Sequence, residues 1–204
     1  MERAVLARHG ESELSCRGLT NGDPRVACPL TARGREEARQ LGELLATEPI
    51  DLCATSEFER TRETADLALE GRSVLRLVLP GLNDIRFGEF EGRALTDYRT
   101  WAHEHTPADE APGGGESRVE TIRRYVDAYR TILDRPERTI LVVAHGLPVR
   151  YVLDAVAGTT PVAKARQVPY AEPFPVSAAQ LTAALEHLEA WLLEPAWASR
   201  AAAT

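Results

Sequence analysis

Two apolar runs in this chain end in the same way. Val5-Leu6-Ala7 leads into Arg8-His9-Gly10, and Val142-Val143-Ala144 leads into His145-Gly146. Neither run alternates apolar with polar positions, the pattern of strands buried on both faces of a parallel sheet. Further strand signals lie at Asp51 to Thr55, at Val74 to Leu79 before the turn pair Pro80-Gly81, and at Thr139 to Ala144. Between them the apolar spacing becomes helical. Thr31 is an N-cap ahead of Ala38, Leu41 and Leu45, and Ser56 with Glu59 makes an S-x-x-E capping-box pattern ahead of Thr64, Ala65, Ala68 and Leu69. Val119, Ile122, Val126, Tyr129 and Leu133 stripe a helix over Glu116 to Leu133. Helices are also predicted around Leu95 to His103, from Leu147, and over approximately 178–193, where Ser177 is boxed with Gln180. Pro161 to Pro175 carries four prolines and reads as loop, with an edge strand at most. The alanine-rich tail past Pro195 is expected to fray.

Strands alternating with helices predict the α/β class, a three-layer α/β/α sandwich around a mostly parallel sheet. The 204 residues suit a single domain, 1–204. A helical and loop lid is expected at approximately 93–115, a segment that ends in three consecutive glycines. With 44% hydrophobic and 27% charged residues, the chain is neither disordered nor membrane-embedded. The chain opens directly into a strand-like segment, leaving no room for a secretory leader, and Cys16, Cys28 and Cys53 form no paired pattern. Free thiols and a cytoplasmic location are therefore expected. A net charge of −7 argues against nonspecific nucleic-acid binding and makes any cluster of arginines more informative.

Ligands of parallel sheets bind beyond the carboxyl ends of the strands, so His9 and His145 can meet in one pocket. Gly10 and Gly146 let the backbone approach a ligand closely. Arg8 beside His9 suggests an anion. Arg60 falls near the positive end of a helix, where a cation is locally unfavourable unless an anion binds there. His9, His145 and Asp84 would also suit a zinc or iron hydrolase. Arg8 and Arg60 would repel a divalent cation, however, and no H-x-x-x-H or H-x-H spacing is present; no metal and no other cofactor are expected. His103, His105 and His187 read as surface histidines, Asp109 and Glu110 as a solvated acidic loop. Trp101, Trp191 and Trp197 read as packing residues, with Trp101 in the lid.

Leu6-Ala7-Arg8-His9-Gly10-Glu11-Ser12 resembles the signature of the histidine phosphatase superfamily, which includes the cofactor-dependent phosphoglycerate mutases. Further elements follow in family order. Pro29-Leu30-Thr31-Ala32-Arg33-Gly34 looks like its P-L-T-x-x-G helix start, and Ser56 through Arg60 with Thr61 and Thr64-Ala65 like its S-x-x-x-R element. Leu82 through Gly88, continued by Glu91-Gly92, is similar to its L-x-E-x-x-x-G segment. Gly114-Gly115-Glu116-Ser117 resembles the G-G-E-S helix start, and Val143-Ala144-His145-Gly146 the second histidine motif. The resemblance spans roughly residues 3–155.

The resemblance implies a phosphomonoesterase acting on a small phosphorylated metabolite through a phosphohistidine on His9. A neutral imidazole attacks a phosphate dianion without the charge repulsion an anionic nucleophile meets. His9 is the implied nucleophile, its other nitrogen held by a backbone carbonyl; Arg8, Arg60 and His145 are the implied donors to the phosphoryl oxygens. Asp84 takes the place of the proton donor, where the family more often carries glutamate, so about one methylene of reach is missing; Glu89 and Glu91 are the fallbacks. Ser15, Asn21, Gly22 and Gly146 are candidate substrate contacts, Ser15 standing where mutase-like members tend to carry asparagine. The alternatives are phosphoglycerate mutase-type phosphoryl transfer and a non-catalytic phospho-ligand binder. Arg86-Phe87-Gly88-Glu89-Phe90-Glu91-Gly92, with no lysine until Lys164, looks more like the phosphatase branch. Neither the substrate nor the oligomeric state is legible.

Overall fold

In the computed structural model, which describes residues 1–198, five strands form one sheet. They are β1 (Arg3–Arg8), β2 (Leu52–Thr55), β3 (Leu75–Val78), β4 (Thr139–Ala144) and β5 (Phe174–Ser177), in the order β3-β2-β4-β1-β5. Only β5 runs antiparallel. It lies at an edge, where Pro175 removes no interior ladder bond. Six helices surround the sheet: α1 (Ala32–Leu44), α2 (Glu59–Ala68), α3 (Leu95–Glu104), α4 (Arg118–Leu133), α5 (Gly146–Val156) and α6 (Ala178–Leu193).

The alternate side chains of each strand separate two cores. Val5, Ala7, Cys53, Leu141 and Val143 pack with Leu41 of α1 and Ala65 and Ala68 of α2. Ala4, Leu6, Ala54, Ile140 and Val142 pack on the other face with α4, α5 and α6. The fold is therefore the expected three-layer α/β/α sandwich. A third cluster of Ile85, Phe87, Tyr98, Ala102 and Ala111 sits apart and carries α3. Trp101 joins it, stacked on Tyr98 and on His105. No helix among the described residues is long and apolar enough to cross a membrane, and Cys16, Cys28 and Cys53 are free.

Local chemistry moved several boundaries. Thr31 caps α1 through the Gly34 amide, and Ser177 with Gln180 boxes α6, both as expected. Ser56 does not cap α2: the N-cap is Phe58, without a side-chain hydrogen bond. Helix α4 starts at Arg118 rather than Glu116, because Ser117 and Glu120 form a reciprocal capping box one turn in. Glu116 is instead buried, taking the Arg86 amide and pairing with Arg124. His187 is half-buried rather than on the surface, since α6 turns that edge toward the core. The start of the tail past Pro195 is tethered: Trp191 Nε1 donates to Ala196 O and Trp197 Nε1 to His105 O, each at 2.8 Å. The rest of that tail, 199–204, lies outside the described residues.

Strand register puts the histidines together. Arg8 pairs with Ala144 at the carboxyl ends of β1 and β4, so His9 and His145 emerge side by side. The chain leaves β1 for α1 on one face and β4 for α5 on the other, opening a crevice between them, as at the switch points of other doubly wound sheets. The exit from β1 is packed backbone on backbone. A Cβ on Gly34 would overlap the carbonyl oxygen of Glu11, and one on Gly10 that of Gly34. Gly34→Ala is expected to destabilise the protein by about 3 kcal/mol, the upper end for overpacking, because backbone cannot rotate out of the way. Denaturant unfolding of the variant checks this; an unchanged midpoint would show that the loop yields.

Candidate active site

Arg60 lies at the centre of this crevice. It sits in the first turn of α2, the residue 97% buried and its guanidinium 4.1 Å from the centre of the Phe58 ring. Its Nε donates to His9 Nε2 at 3.2 Å and its Nη2 to His145 Nδ1 at 3.1 Å. Nη1 and Nη2 also reach the side-chain and backbone oxygens of Asn21, at 3.2 and 3.1 Å. Asp84 Oδ2 lies 3.7 Å from Arg60 Nη2 and 3.8 Å from His145 Nδ1.

These contacts fix both tautomers, because a guanidinium only donates. His9 Nε2 must present its lone pair, so Nδ1 carries the proton and donates to Gly10 O at 2.7 Å. His145 Nδ1 must likewise be bare, so Nε2–H donates to Ser56 Oγ at 2.8 Å. That is why Ser56 is lost to the helix cap. Its hydroxyl also accepts from the Phe58 amide and meets Thr61 Oγ1 at 2.9 Å. Ser56→Ala is expected to cost about 1–3 kcal/mol, the penalty of leaving buried donors unpaired. Urea unfolding measures it, and a neutral result would mean that His145 Nε2–H finds another acceptor.

Burial, followed by the nearby Arg60 charge, holds both imidazoles well below the ordinary histidine value. Both are neutral at neutral pH. Burial pushes the Asp84 carboxyl up, against the opposing pull of Arg60. Arg8 is anchored by Val168 O at 2.9 Å and stacks 3.9 Å over the Tyr170 ring, leaving Nε buried with no partner among the described residues. Burial lowers its affinity for the proton as well.

The cleft has two lobes sharing Arg8, His9 and Asp84. One is lined by Ser12, Ser15, Asn21, Arg60 and Tyr170, the other by Tyr98, Arg99, Arg118, Gly146 and Leu147. His145 is fully buried behind Arg60 and lines neither. Ser15 reaches one lobe, but its hydroxyl is engaged with Ser12. Asn21 holds Arg60. Gly22 is outside both lobes; its amide donates to Glu91 Oε2 at 2.8 Å, and a Cβ there would strike Ile85 O. Glu91 is thereby taken up, since its Oε1 accepts from the Phe87 amide, and Glu89 is exposed; neither lines the cleft. Of the expected lid, Leu95, Tyr98 and Arg99 line the cleft, whereas Gly113 and Gly115 pack on Gly88 and Glu89.

Sequence reasoning overlooked Tyr170, Phe58, Arg99, Arg118 and the hydroxyl role of Ser56. Ser56 and Phe58 lay within the S-x-x-x-R element already noted; Tyr170, Arg99 and Arg118 carry no local signal. Among the described residues, no group of three His, Cys, Asp or Glu side chains is arranged to hold a metal ion.

Comparison with known proteins agrees with this architecture. Residues 4–192 match the profile of the histidine phosphatase superfamily, branch 1. The adenosylcobalamin/alpha-ribazole phosphatase of Salmonella typhimurium is 36% identical over 153 residues, covering 70% of this chain and 73% of that protein. A 2,3-bisphosphoglycerate-dependent phosphoglycerate mutase of Methylobacterium sp. is 36% identical over 177 residues, covering 78% and 83%. The crystal structure of the alpha-ribazole phosphatase from Shigella flexneri superposes with a TM-score of 0.72 at 30% identity, covering 85% of this chain and 89% of that one. With its paired histidines at the crevice of such a sheet, the chain is an enzyme of the histidine phosphatase superfamily, branch 1.

Proposed function

We propose that this enzyme hydrolyses a small phosphomonoester through a phosphohistidine on His9. The observation that carries this is the bare Nε2 of His9, held neutral by burial and directed by the Nδ1–H bond to Gly10 O. In-line attack by Nε2 forms the N–P bond as the P–O bond to the alcohol breaks. Positive charge then grows on the ring, and the Gly10 carbonyl stabilises it through Nδ1–H. Arg60 and the unpartnered Nε of Arg8 donate to the phosphoryl oxygens, so the charge of the transition state meets fixed donors rather than water. Asp84, with its carboxyl affinity for the proton raised, protonates the departing alkoxide and then takes a proton from the water that attacks phosphorus. His9 leaves as the neutral imidazole, and inorganic phosphate is released.

Ser56 lets His145 take part. A hydroxyl both donates and accepts. When phosphoryl oxygens draw the Arg60 donors away, Ser56 can donate to Nε2 and leave the His145 proton on Nδ1, on the side of Arg60 and Asp84. Arg8 and Arg60 disfavour a divalent cation, so hydrolysis is independent of metal, and the free thiols accord with the cytoplasm.

Phosphoglycerate mutase chemistry shares the phosphohistidine and is favoured by the 36% identity to mutases. One experiment separates the possibilities: phosphate release from a panel of phosphorylated metabolites and p-nitrophenyl phosphate, with and without EDTA, beside isomerisation of 3-phosphoglycerate. Release unaffected by EDTA is expected. Isomerisation outrunning release would identify a mutase, abolition by EDTA and rescue by zinc a metal hydrolase, and phosphate binding without turnover a binder.

A further inference from the structure

The second lobe of the cleft carries more positive charge than one phosphoryl group requires. It is an open cavity with Phe87, Leu95 and Leu147 in its wall. Arg99, Arg118 and Arg166 line it in addition to Arg8, while Asp84 in the reacting centre is its one carboxylate among the described residues. None of these four arginines forms a salt bridge among the described residues.

Arg118 is the most informative of them. It is 95% buried, yet its partners are uncharged: Nε donates to Tyr98 OH at 2.9 Å and Nη1 to Tyr151 OH at 2.6 Å. Nη2 donates to no acceptor among the described residues. A guanidinium cannot shed its proton to escape burial, so such a site is costly unless an anion arrives. Arg99 spends Nη2 on Ala165 O at 3.1 Å, and burial together with the neighbouring Arg118 and Arg8 charges lowers its proton affinity. Arg166 is exposed at the mouth. In a chain of net charge −7, three additional cations facing one partly apolar cavity are not explained by background composition.

We infer that the substrate carries a second anionic group, a carboxylate or a further phosphate, joined to the scissile phosphate by a short, partly apolar body. This rests on the phosphatase function proposed above and specifies its substrate class. The reacting phosphate lies against His9, Arg60 and Arg8, the body against Phe87, Leu95 and Leu147, and the second anion against Arg118 and Arg99.

Binding of non-hydrolysable phosphonates tests this without turnover. Calorimetry compares 3-phosphonopropionate, 4-phosphonobutyrate and 4-(phosphonomethyl)benzoate each with its carboxyl methyl ester, which removes the second charge at constant length. At least one acid is expected to bind about tenfold or more tighter than its ester, the scale of a charge pair shielded from water. Arg99→Gln combined with Arg166→Gln is expected to cut that ratio to about threefold or less. Bisphosphonates of matched length then distinguish the source: tighter binding than the acids assigns a second phosphate, weaker binding a carboxylate. Equal affinity of every acid and its ester overturns the inference and leaves the phosphatase function standing. Discrimination in binding by a protein that releases phosphate from no phosphomonoester overturns the phosphatase function instead.

Discussion

His9→Ala is expected to lower kcat/KM for p-nitrophenyl phosphate by about 10⁴-fold or more, as losing a nucleophile does in other covalent mechanisms. The loss should exceed that of any other single substitution, because no nearby group can take over. His145 is buried behind Arg60 with its Nδ1 already accepting from it. The substitution should spare the fold: among the described residues the only hydrogen bonds of the ring are the local one to Gly10 O and the one from Arg60. Mass spectrometry after an alkaline quench, which preserves phosphohistidine, should detect a phosphoryl group on His9 during turnover and none in the variant. A variant as fast as the parent would eliminate nucleophilic catalysis by His9.

Asp84→Asn carries the second large effect, and it depends on pH. His9 must be neutral to attack, and its affinity for protons is depressed well below the ordinary 6.5, so activity falls on the acid side only as pH drops through that lowered value. Asp84 must be protonated to serve the leaving group. Its pKa is raised above the ordinary 3.8, so activity falls as pH rises through the raised value. A bell follows, bounded by the lowered ionisation of His9 and the raised ionisation of Asp84. Asp84→Asn is expected to remove the alkaline limb and about 10²–10⁴ of the rate with an alkyl phosphate. The loss should be smaller with p-nitrophenyl phosphate, whose leaving group needs little protonation. Persistence of the alkaline limb in Asp84→Asn would show that another group donates the proton. Glu91 is a poor substitute, since two backbone amides hold its carboxylate away from the cleft.

The residues that the sequence motifs singled out differ in how directly they meet the cleft. Arg8, His9 and Asp84 line both lobes, Arg60 and Asn21 one of them, while His145 meets Arg60 from behind. Gly22 serves the chain itself, because the Ile85 carbonyl occupies the space a side chain would need. The distinction between touching the cleft and supporting what touches it depends on side-chain depth. Spacing along a chain carries no record of depth.

Periodicity alone determined the layered α/β/α class, five of the six helices within about two residues, and the placing of two histidines at strand ends, because burial on both faces leaves a strand no polar positions. It also determined the Thr31 and Ser177 caps, which are satisfied within one turn. Only the tertiary structure decided that Ser56 serves His145 rather than a helix end. The local amide and the distant imidazole compete for one hydroxyl, and the imidazole, 89 residues away in sequence, is buried with no other acceptor for Nε2–H among the described residues. Likewise Tyr170 under Arg8, and Arg118 between two tyrosines, are consequences of packing between segments remote along the chain. Local pattern records what a residue does for its own helix or strand; the pairing of charges and rings across the crevice exists only once the strands are in register.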